Sequence, residues 1–413
     1  MGKEEGARSP IAHCRLPLAH RQPSNPLSRA EKTPDNASTM TILTALGLMS
    51  GTSLDGVDAA ILRTDGVDVI APGPALSFPY ARDLKVFIRR AIKAALEGRD
   101  GAADIGKASA EVTAAHVEAV AALLDKAGMK RTQIDVIGFH GQTILHRPKR
   151  GPESFGRSWQ IGDARLLAEE TRIDVVADFR SADIAEGGEG APLAPVYHGA
   201  LARALQRDHP VGVLNLGGVA NLTFAPPSGT DLDLLAFDCG PGNGLIDQWT
   251  EFKTGAAMDE NGALALAGQV HSEVLRLMLL NPFIRRRPPK SLDRYDFKLD
   301  PALALSAADG AATLTAFTAA CVRASVPHLP AAPGEWIVAG GGRRNPALMT
   351  ALEKALDAPV LTAEDAGWRG DDLEAECFAY LAVRALRRLP ITFPRTTRAP
   401  RPLAAGVFHR APV

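Results

Sequence analysis

The stretch Leu43-Thr44-Ala45-Leu46-Gly47-Leu48-Met49-Ser50-Gly51-Thr52-Ser53-Leu54-Asp55-Gly56-Val57-Asp58-Ala59-Ala60-Ile61-Leu62-Arg63 decides the fold. Leu43–Met49 is a short apolar run, Gly51–Gly56 is built from turn residues, and Val57–Arg63 is a second strand-like run. Strand–turn–strand makes a hairpin. The pattern restarts at Val211–Leu216, passes through Gly217-Gly218, and continues as Val219–Ala225, with Leu234–Asp238 as a third strand. Two halves that each open with a hairpin and a polar glycine turn predict a duplicated α/β architecture.

Working outward, residues 81–97 and 102–127 show helical spacing, the second with Ile105, Val112, Val120 and Leu124 at its apolar positions. Asp135–Phe139 and Arg172–Ala177 read as strands, and a helix follows Pro192 and Pro195 to about Gln206. In the second half, helices are predicted near 244–254, 261–280 and 311–325. Trp336–Ala339 is a strand, a helix starts at Pro346, and Asp371–Arg388 is the last helix. Residues 1–39 carry Pro10, Pro17, Pro23, Pro26 and Pro34 with no sustained period, so a disordered and dispensable extension is expected there. The expected division is then 40–205 for one lobe, 206–390 for the other and 391–413 for a tail.

The composition narrows the function classes. The chain has 413 residues, 46% of them hydrophobic and 23% charged, which suits two globular lobes. Lys and Arg number 46 against 47 Asp and Glu, so the basic excess of a nucleic-acid protein is missing. Cys14, Cys239, Cys321 and Cys377 form no CxxC pair, which argues against a disulfide scaffold and a cysteine zinc site. No run reaches the ~20 apolar residues of a membrane span. Met40–Met49 lacks the basic flank and cleavage site of a leader, so a cytoplasmic protein is expected.

Five segments could carry chemistry. Met49–Asp58 combines glycines, which let a backbone approach an anion, with the hydroxyls of Thr52 and Ser53 and the carboxylate of Asp55, suited to Mg²⁺ directly or through water. It is not a Walker A loop, and an ordinary hairpin turn is the plain alternative. Phe237–Gly244 delivers Asp238 at a strand end, then opens a helix through a glycine turn. Free N–H groups there favour phosphate, and the carboxylate suits a base or a metal ligand. Val338–Pro346 sets three glycines between a strand and a helix, leaving room for a flat ligand. Gly138–Thr143, with His146 after it, places His140 at a strand end, where it could bond a sugar or move a proton. Ala177–Leu193 offers Arg180 as a fork for a carboxylate, followed by the loop Gly187-Gly188-Glu189-Gly190. The run Ile284–Arg287 reads as a solvated basic face.

Two phosphate-type loops, one per half, and a late triple-glycine loop resemble the layout of the actin, sugar kinase and Hsp70 superfamily. The wording MSGTSLDGVD, GFHGQT, WQIGD, LNLGGVANLT, FDCGPGN and VAGGGRRNP, with Pro289-Lys290-Ser291 and Gly370–Ala375, resembles the anhydro-N-acetylmuramic acid kinase family in order over about residues 46–380. The resemblance implies a two-lobed actin-like ATPase and sugar kinase (ribonuclease H-like) fold with an interlobe cleft. It implies that ATP with Mg²⁺ drives opening of the 1,6-anhydro bridge of anhydro-N-acetylmuramic acid. Water attacks the anomeric carbon and the 6-oxygen takes the γ-phosphoryl, giving N-acetylmuramic acid 6-phosphate for peptidoglycan recycling.

By the same resemblance Asp238 is the base that activates water. ATP falls to Gly51, Thr52, Ser53, Leu54, Asp55, Gly56, Val57, Asp58, Gly217, Gly218, Gly240, Gly242, Asn243, Gly340, Gly341, Gly342 and Asn345, with Asp55 toward Mg²⁺. The sugar falls to His140, Gln142, Arg180 and Asp183, Arg180 taking the lactyl carboxylate. Glu189 stands where the family more often has Gln. The expected partners are ATP and an anhydro amino sugar, not nucleic acid or membrane, with a homodimer left open. Rival functions are an N-acetylhexosamine kinase of the same superfamily, which needs a free 6-hydroxyl, and a non-catalytic nucleotide-binding regulator.

Overall fold

The strands follow the hydrophobic runs. In the computed structural model, which describes residues 41–51, 53–68, 70–147, 156–292 and 297–412, the first hairpin is β1 (Leu43–Ser50) and β2 (Gly56–Thr64). The order continues with β3 (Ile70–Pro79), β4 (Val136–Arg147), β5 (Arg157–Ile161) and β6 (Val175–Ala177). The second half supplies β7 (Val211–Leu216), β8 (Val219–Ala225), β9 (Leu235–Pro241), β10 (Glu335–Ala339) and β11 (Val360–Thr362); β12 (Val407–His409) comes last.

The predicted duplication is written in the topology. One sheet runs β12-β6-β4-β1-β2-β3 with β5 on β4, and the other runs β11-β10-β7-β8-β9. In both, the first three strands form an antiparallel meander, and the fourth joins the first in parallel. Without β5 and β12 the two orders are the same, third-second-first-fourth-fifth. Both sheets are covered on both faces, so their strands read as continuous apolar runs. Arg82–Leu96 and Ala103–Ala127 bury one face of the first sheet, around Leu46, Ile88, Val112 and Phe139. Its other face shares a core with the second sheet, in which Pro195–Ala204 and Leu373–Leu386 lie beside Ala45, Val136, Val213 and Ile337. Ala307–Ser325 and Pro346–Ala355 close the far side of the second sheet.

Several expectations are corrected. Parts of both 206–390 and 391–413 lie on the first sheet. Leu373–Leu386 crosses the first sheet so closely that a Cβ on Gly47 would stand 1.8 Å from the Ala375 carbonyl oxygen, and one on Gly138 2.0 Å from that of Phe378. Val407–His409, expected in a tail, pairs antiparallel with β6. The helix expected over 261–280 is broken into Ala263–Ala267 and Ser272–Met278, because Gly268 presses against the backbone of Ala308. The strand expected to end at Phe139 runs on to Arg147, so His140 and Gln142 lie inside it. β3 and β5 were not foreseen. Residues 1–39 and Thr52 lie outside the described residues. Among the described residues no helix is long and apolar enough to cross a membrane.

Candidate active site

The site forms where β1, β4, β6, β7 and β10 end or bulge, the carboxyl edge at which parallel α/β sheets offer ligand crevices. In the first half, Ser50 Oγ donates to the Gly141 carbonyl at 3.0 Å and Gln142 Nε2 to that of Gly51 at 3.1 Å, tying the hairpin loop to β4. Leu54 and Val57 are core residues, Leu54 with φ +61°. Their side chains hold the loop to the core, and Gly56 is needed where β2 meets the Phe78 carbonyl. Ser53 and Asp55 are exposed. Asp58 accepts from Ser77 Oγ at 2.6 Å. Burial raises its carboxyl pKa, and the nearby Asp372, Asp371 and Asp55 raise it further.

In the second half the glycine turns interlock. Gly242 and Gly244 N–H donate to the Gly218 carbonyl at 3.1 and 3.2 Å, and Asn243 N–H to that of Gly217 at 2.7 Å. Gly340 has φ +74° and sits against Asn215 and Leu216, where no side chain fits. Gly341 alone of the triplet is exposed, while Gly342 and Gly240 are buried against Leu216 and Cys321. Asn345 caps Pro346–Ala355 by accepting from Leu348 N–H at 3.2 Å. Gly240 and Gly342 thus pack the loops closely and Asn345 caps the helix that follows.

Asp238 lies on β9 and is 7% exposed. Its Oδ2 accepts from Leu292 N–H at 2.6 Å, and its Oδ1 accepts a short hydrogen bond from Asn221 Nδ2. Burial pushes the Asp238 carboxyl up to about 7. The Leu292 and Asn221 donors and Lys290 hold it down, and Glu189 adds to the rise. A carboxyl balanced near neutral pH is what proton abstraction from water requires. Lys290 itself is buried, its Nζ donating to the Phe283 and Ile284 carbonyls at 3.1 Å each, and its own carbonyl accepts from Asp238 N–H at 2.9 Å.

Arg180, after β6, donates from Nη2 to His140 Nε2 at 3.0 Å and from Nη1 to the Gly190 carbonyl at 2.7 Å. A guanidinium only donates, so Nε2 accepts and His140 is neutral with its proton on Nδ1. Burial, together with Arg180, holds the His140 pKa well below its usual range and that of His146 at about 4. The pocket is therefore cationic through Arg180, with neutral imidazoles beside it, a setting for an anionic group. Asp183 is fully buried, accepting from Gly190 N–H and Thr397 Oγ1 at 2.7 Å each, and so shapes the glycine loop beside Arg180. Asp178 caps the short helix Ser181–Ala185 through Ser181 N–H at 3.1 Å.

Glu374 joins the two halves. It accepts from Asn215 Nδ2 of β7 at 3.1 Å and interacts with Asp58 and Arg180 of the first half. Asn215, Asn221, Lys290 and Glu374 were not singled out as site residues. Three of them stand in quoted motifs (LNLGGVANLT and PKS), and Glu374 in the Gly370–Ala375 match, so position in a motif was the available signal. Among the described residues, the buried Arg180 Nε, Gln142 Oε1, His146 Nε2 and Asn243 Oδ1 have no hydrogen-bond partner, a concentration that fits a polar ligand.

Paired sheets of one topology thus carry a buried carboxylate on one and a half-buried arginine on the other. The family model described as anhydro-N-acetylmuramic acid kinase matches residues 43–411. An anhydro-N-acetylmuramic acid kinase of Rhizorhabdus wittichii is 51% identical over 373 residues, covering 90% of this chain and 100% of its own. One of Acidiphilium cryptum is 50% identical, covering 89% and 98%. The chain belongs to the anhydro-N-acetylmuramic acid kinase family. A solved activator of 2-hydroxyisocaproyl-CoA dehydratase from Clostridium difficile, with bound ADPNP, aligns at 14% identity and TM-score 0.42 over 84% of this chain and 96% of its own.

Proposed function

We propose that this protein is an ATP-dependent kinase that opens 1,6-anhydro-N-acetylmuramic acid with water and phosphorylates its 6-oxygen. Family membership supports the activity, and Asp238 is the observation that carries the mechanism. Asp238 takes a proton from water as the water oxygen bonds to the anomeric carbon. The bond from that carbon to the bridge oxygen breaks, and the bridge oxygen takes the γ-phosphoryl, releasing ADP. Phosphoryl transfer itself asks mainly for positioning and neutralised charge. Arg180, held by His140 and the Gly190 carbonyl, would pair with the lactyl carboxylate.

Ser53, Asp55, Gly341 and the Gly217-Gly218 turn are the parts we assign to ATP. Asp55 and Asp58 suit Mg²⁺, since they offer hard oxygen donors. Among the described residues no set of three or more His, Cys, Asp or Glu converges on a metal position. That agrees with an ion carried chiefly by phosphate and water oxygens, whose part is to neutralise phosphate charge. A cytoplasmic location and homodimer assembly belong to the same proposal.

The test is purified protein with Mg-ATP and the anhydro sugar in ¹⁸O-water. The expected product is N-acetylmuramic acid 6-phosphate with the label at the anomeric hydroxyl. Label in the phosphate, or phosphorylation of only a free 6-hydroxyl sugar, would sink the mechanism, and ATP hydrolysis without a phosphosugar would favour a regulator.

A further inference from the structure

The loop Gly187–Gly190 is fastened from an unexpected quarter. Glu189 N–H donates to the Thr397 carbonyl at 2.7 Å, and the Glu189 carboxylate, 11% exposed, pairs with Arg398 Nε at 3.2 Å. The same Nε donates to the Pro289 carbonyl at 2.8 Å. Pro289 is followed by Lys290, whose carbonyl receives Asp238 N–H, and by Leu292, whose N–H holds Asp238 Oδ2. Pro394–Thr397 packs directly on β9, the strand that carries Asp238. One arginine near the end of the chain thus spans the glycine loop of the first half and the segment that grips the base.

Among the described residues the buried Glu189 carboxylate has one ion-pair partner, Arg398, which is 45% exposed. Glu189 also interacts electrostatically with Asp238. Among the described residues, the charged and titratable groups acting on Asp238 are Lys290 and Cys239 beside it and Glu189 of the glycine loop, with which Arg398 of the C-terminal segment pairs. Asn221 from β8 and Leu292 N–H add neutral donors.

We propose that Glu189 and Arg398 form a positioning pair: Arg398 clips the glycine loop to the Pro289–Leu292 segment that grips Asp238, and so holds the Glu189 carboxylate in place on the base's side of the loop. The inference rests on Asp238 being the base. A glutamine at this position keeps the shape and removes the charge, so Glu and Gln versions of the loop should work at different pH.

The experiment is the pH profile of kcat/KM for the full chain and for Glu189→Gln, Arg398→Met and Glu186→Gln. The last removes a charge from the exposed pair with Arg401 and serves as the control. Glu189→Gln should move the acid limb to lower pH by on the order of half a unit, since a like charge is removed. Arg398→Met should move it to higher pH, because Glu189 loses its counter-charge, and Glu186→Gln should leave it in place.

A second readout needs no turnover. The melting-temperature difference between each protein and its Asp238→Asn derivative, followed from pH 4 to 9, reports the Asp238 proton directly. The difference should level off at lower pH in the Glu189→Gln background. A limb and a melting difference that both ignore Glu189→Gln would overturn the pair. So would loss of turnover at all pH with both limbs unshifted, which would make Glu189 a ligand contact. A melting difference that shifts without any kinase activity would leave the pair standing and overturn the kinase assignment instead.

Discussion

The two sheets carry a polar pair at the same rung, and the charge sits on opposite strands. In the first half Asp58 of β2 faces Ser77 of β3, and Ser77 donates. In the second half Asn221 of β8 faces Asp238 of β9, and Asn221 donates. Asp58 and Asn221 are each the third residue of their strand. Moving the carboxylate across one ladder changes its company. Asp58 lies among Asp55, Asp371 and Asp372, an acidic surround that a cation would relieve. Asp238 lies buried beside Lys290 and Glu189, where its own ionisation becomes the variable. The two halves share one scaffold, and the side of the rung that holds the charge sets whether a carboxylate sits in an acidic surround or in a buried one.

The largest effect should come from Asp238→Asn. Asn cannot take the proton from water, and general-base contributions are typically ~10²–10⁴-fold in turnover. Asn221 can turn its amide to match the new side chain, so the fold should persist and both ligands should still bind. In the parent protein kcat/KM should fall as pH drops through about 7, because the protonated carboxyl is inactive as a base. A folded variant within a few-fold of normal turnover would remove Asp238 from the chemistry and reduce the comparison to one of packing.

Next in size is a change that loosens the two halves from each other. Arg384, on the helix Leu373–Leu386, is 3% exposed and pairs with Asp231 at 2.8 Å while donating to the Gly66 and Pro390 carbonyls. Asp231 keeps a second partner, Arg203 Nη1 at 3.0 Å, so the loss of Arg384 should cost less than the ~3–5 kcal/mol of a fully broken buried pair. Arg384→Met should lower the urea midpoint accordingly, with Asp231→Asn doing the same and the double change costing less than the sum. An additive double mutant would mean the pair contributes nothing as a pair.

The helix itself was legible in the sequence, but its address was not. A run such as Leu373–Leu386 declares a buried helix without saying which sheet buries it. The reason for that address lies in Gly47 and Gly138, more than two hundred residues away, which leave its backbone room. The hairpins and glycine turns were legible because their signals are local. The burial of Leu54, Val57, Gly240, Gly342 and Asn345 was not legible, because a motif does not separate exposed loop residues from those that shape the loop. For Asp183 too, only the fold shows both oxygens bonded to Gly190 and Thr397. Asn221 and Lys290 act through ladder pairing and a buried cation, which local spacing does not encode.

A smaller effect should come from the acidic side. Asp55→Asn and Asp58→Asn should each raise the apparent KM for Mg-ATP, on the order of tenfold, while sugar affinity and the acid limb near pH 7 stay in place. Titrating Mg²⁺ at fixed ATP should show the loss partly recovered at high metal. Equal ATP use by both variants would leave Asp55 as a turn residue and Asp58 as a ladder residue only.

The smallest effect tests the donors of the two rungs against each other. Ser77→Ala takes one neutral donor from Asp58, and Asn221→Ala takes one from Asp238. Each loss is worth roughly 0.5–1.5 kcal/mol of stability, so melting alone would not tell them apart. The pH profile should. The Asn221 hydrogen bond favours ionised Asp238, so without it the carboxyl holds its proton to higher pH. The acid limb should therefore climb above about 7, by on the order of half a unit, with turnover regained on the alkaline side. Ser77→Ala should leave the limb in place and touch only the Mg-ATP response. If both variants moved the limb alike, the two rungs would be electrically one site. If neither did, Asn221 would hold β8 to β9 and have no hold on the proton.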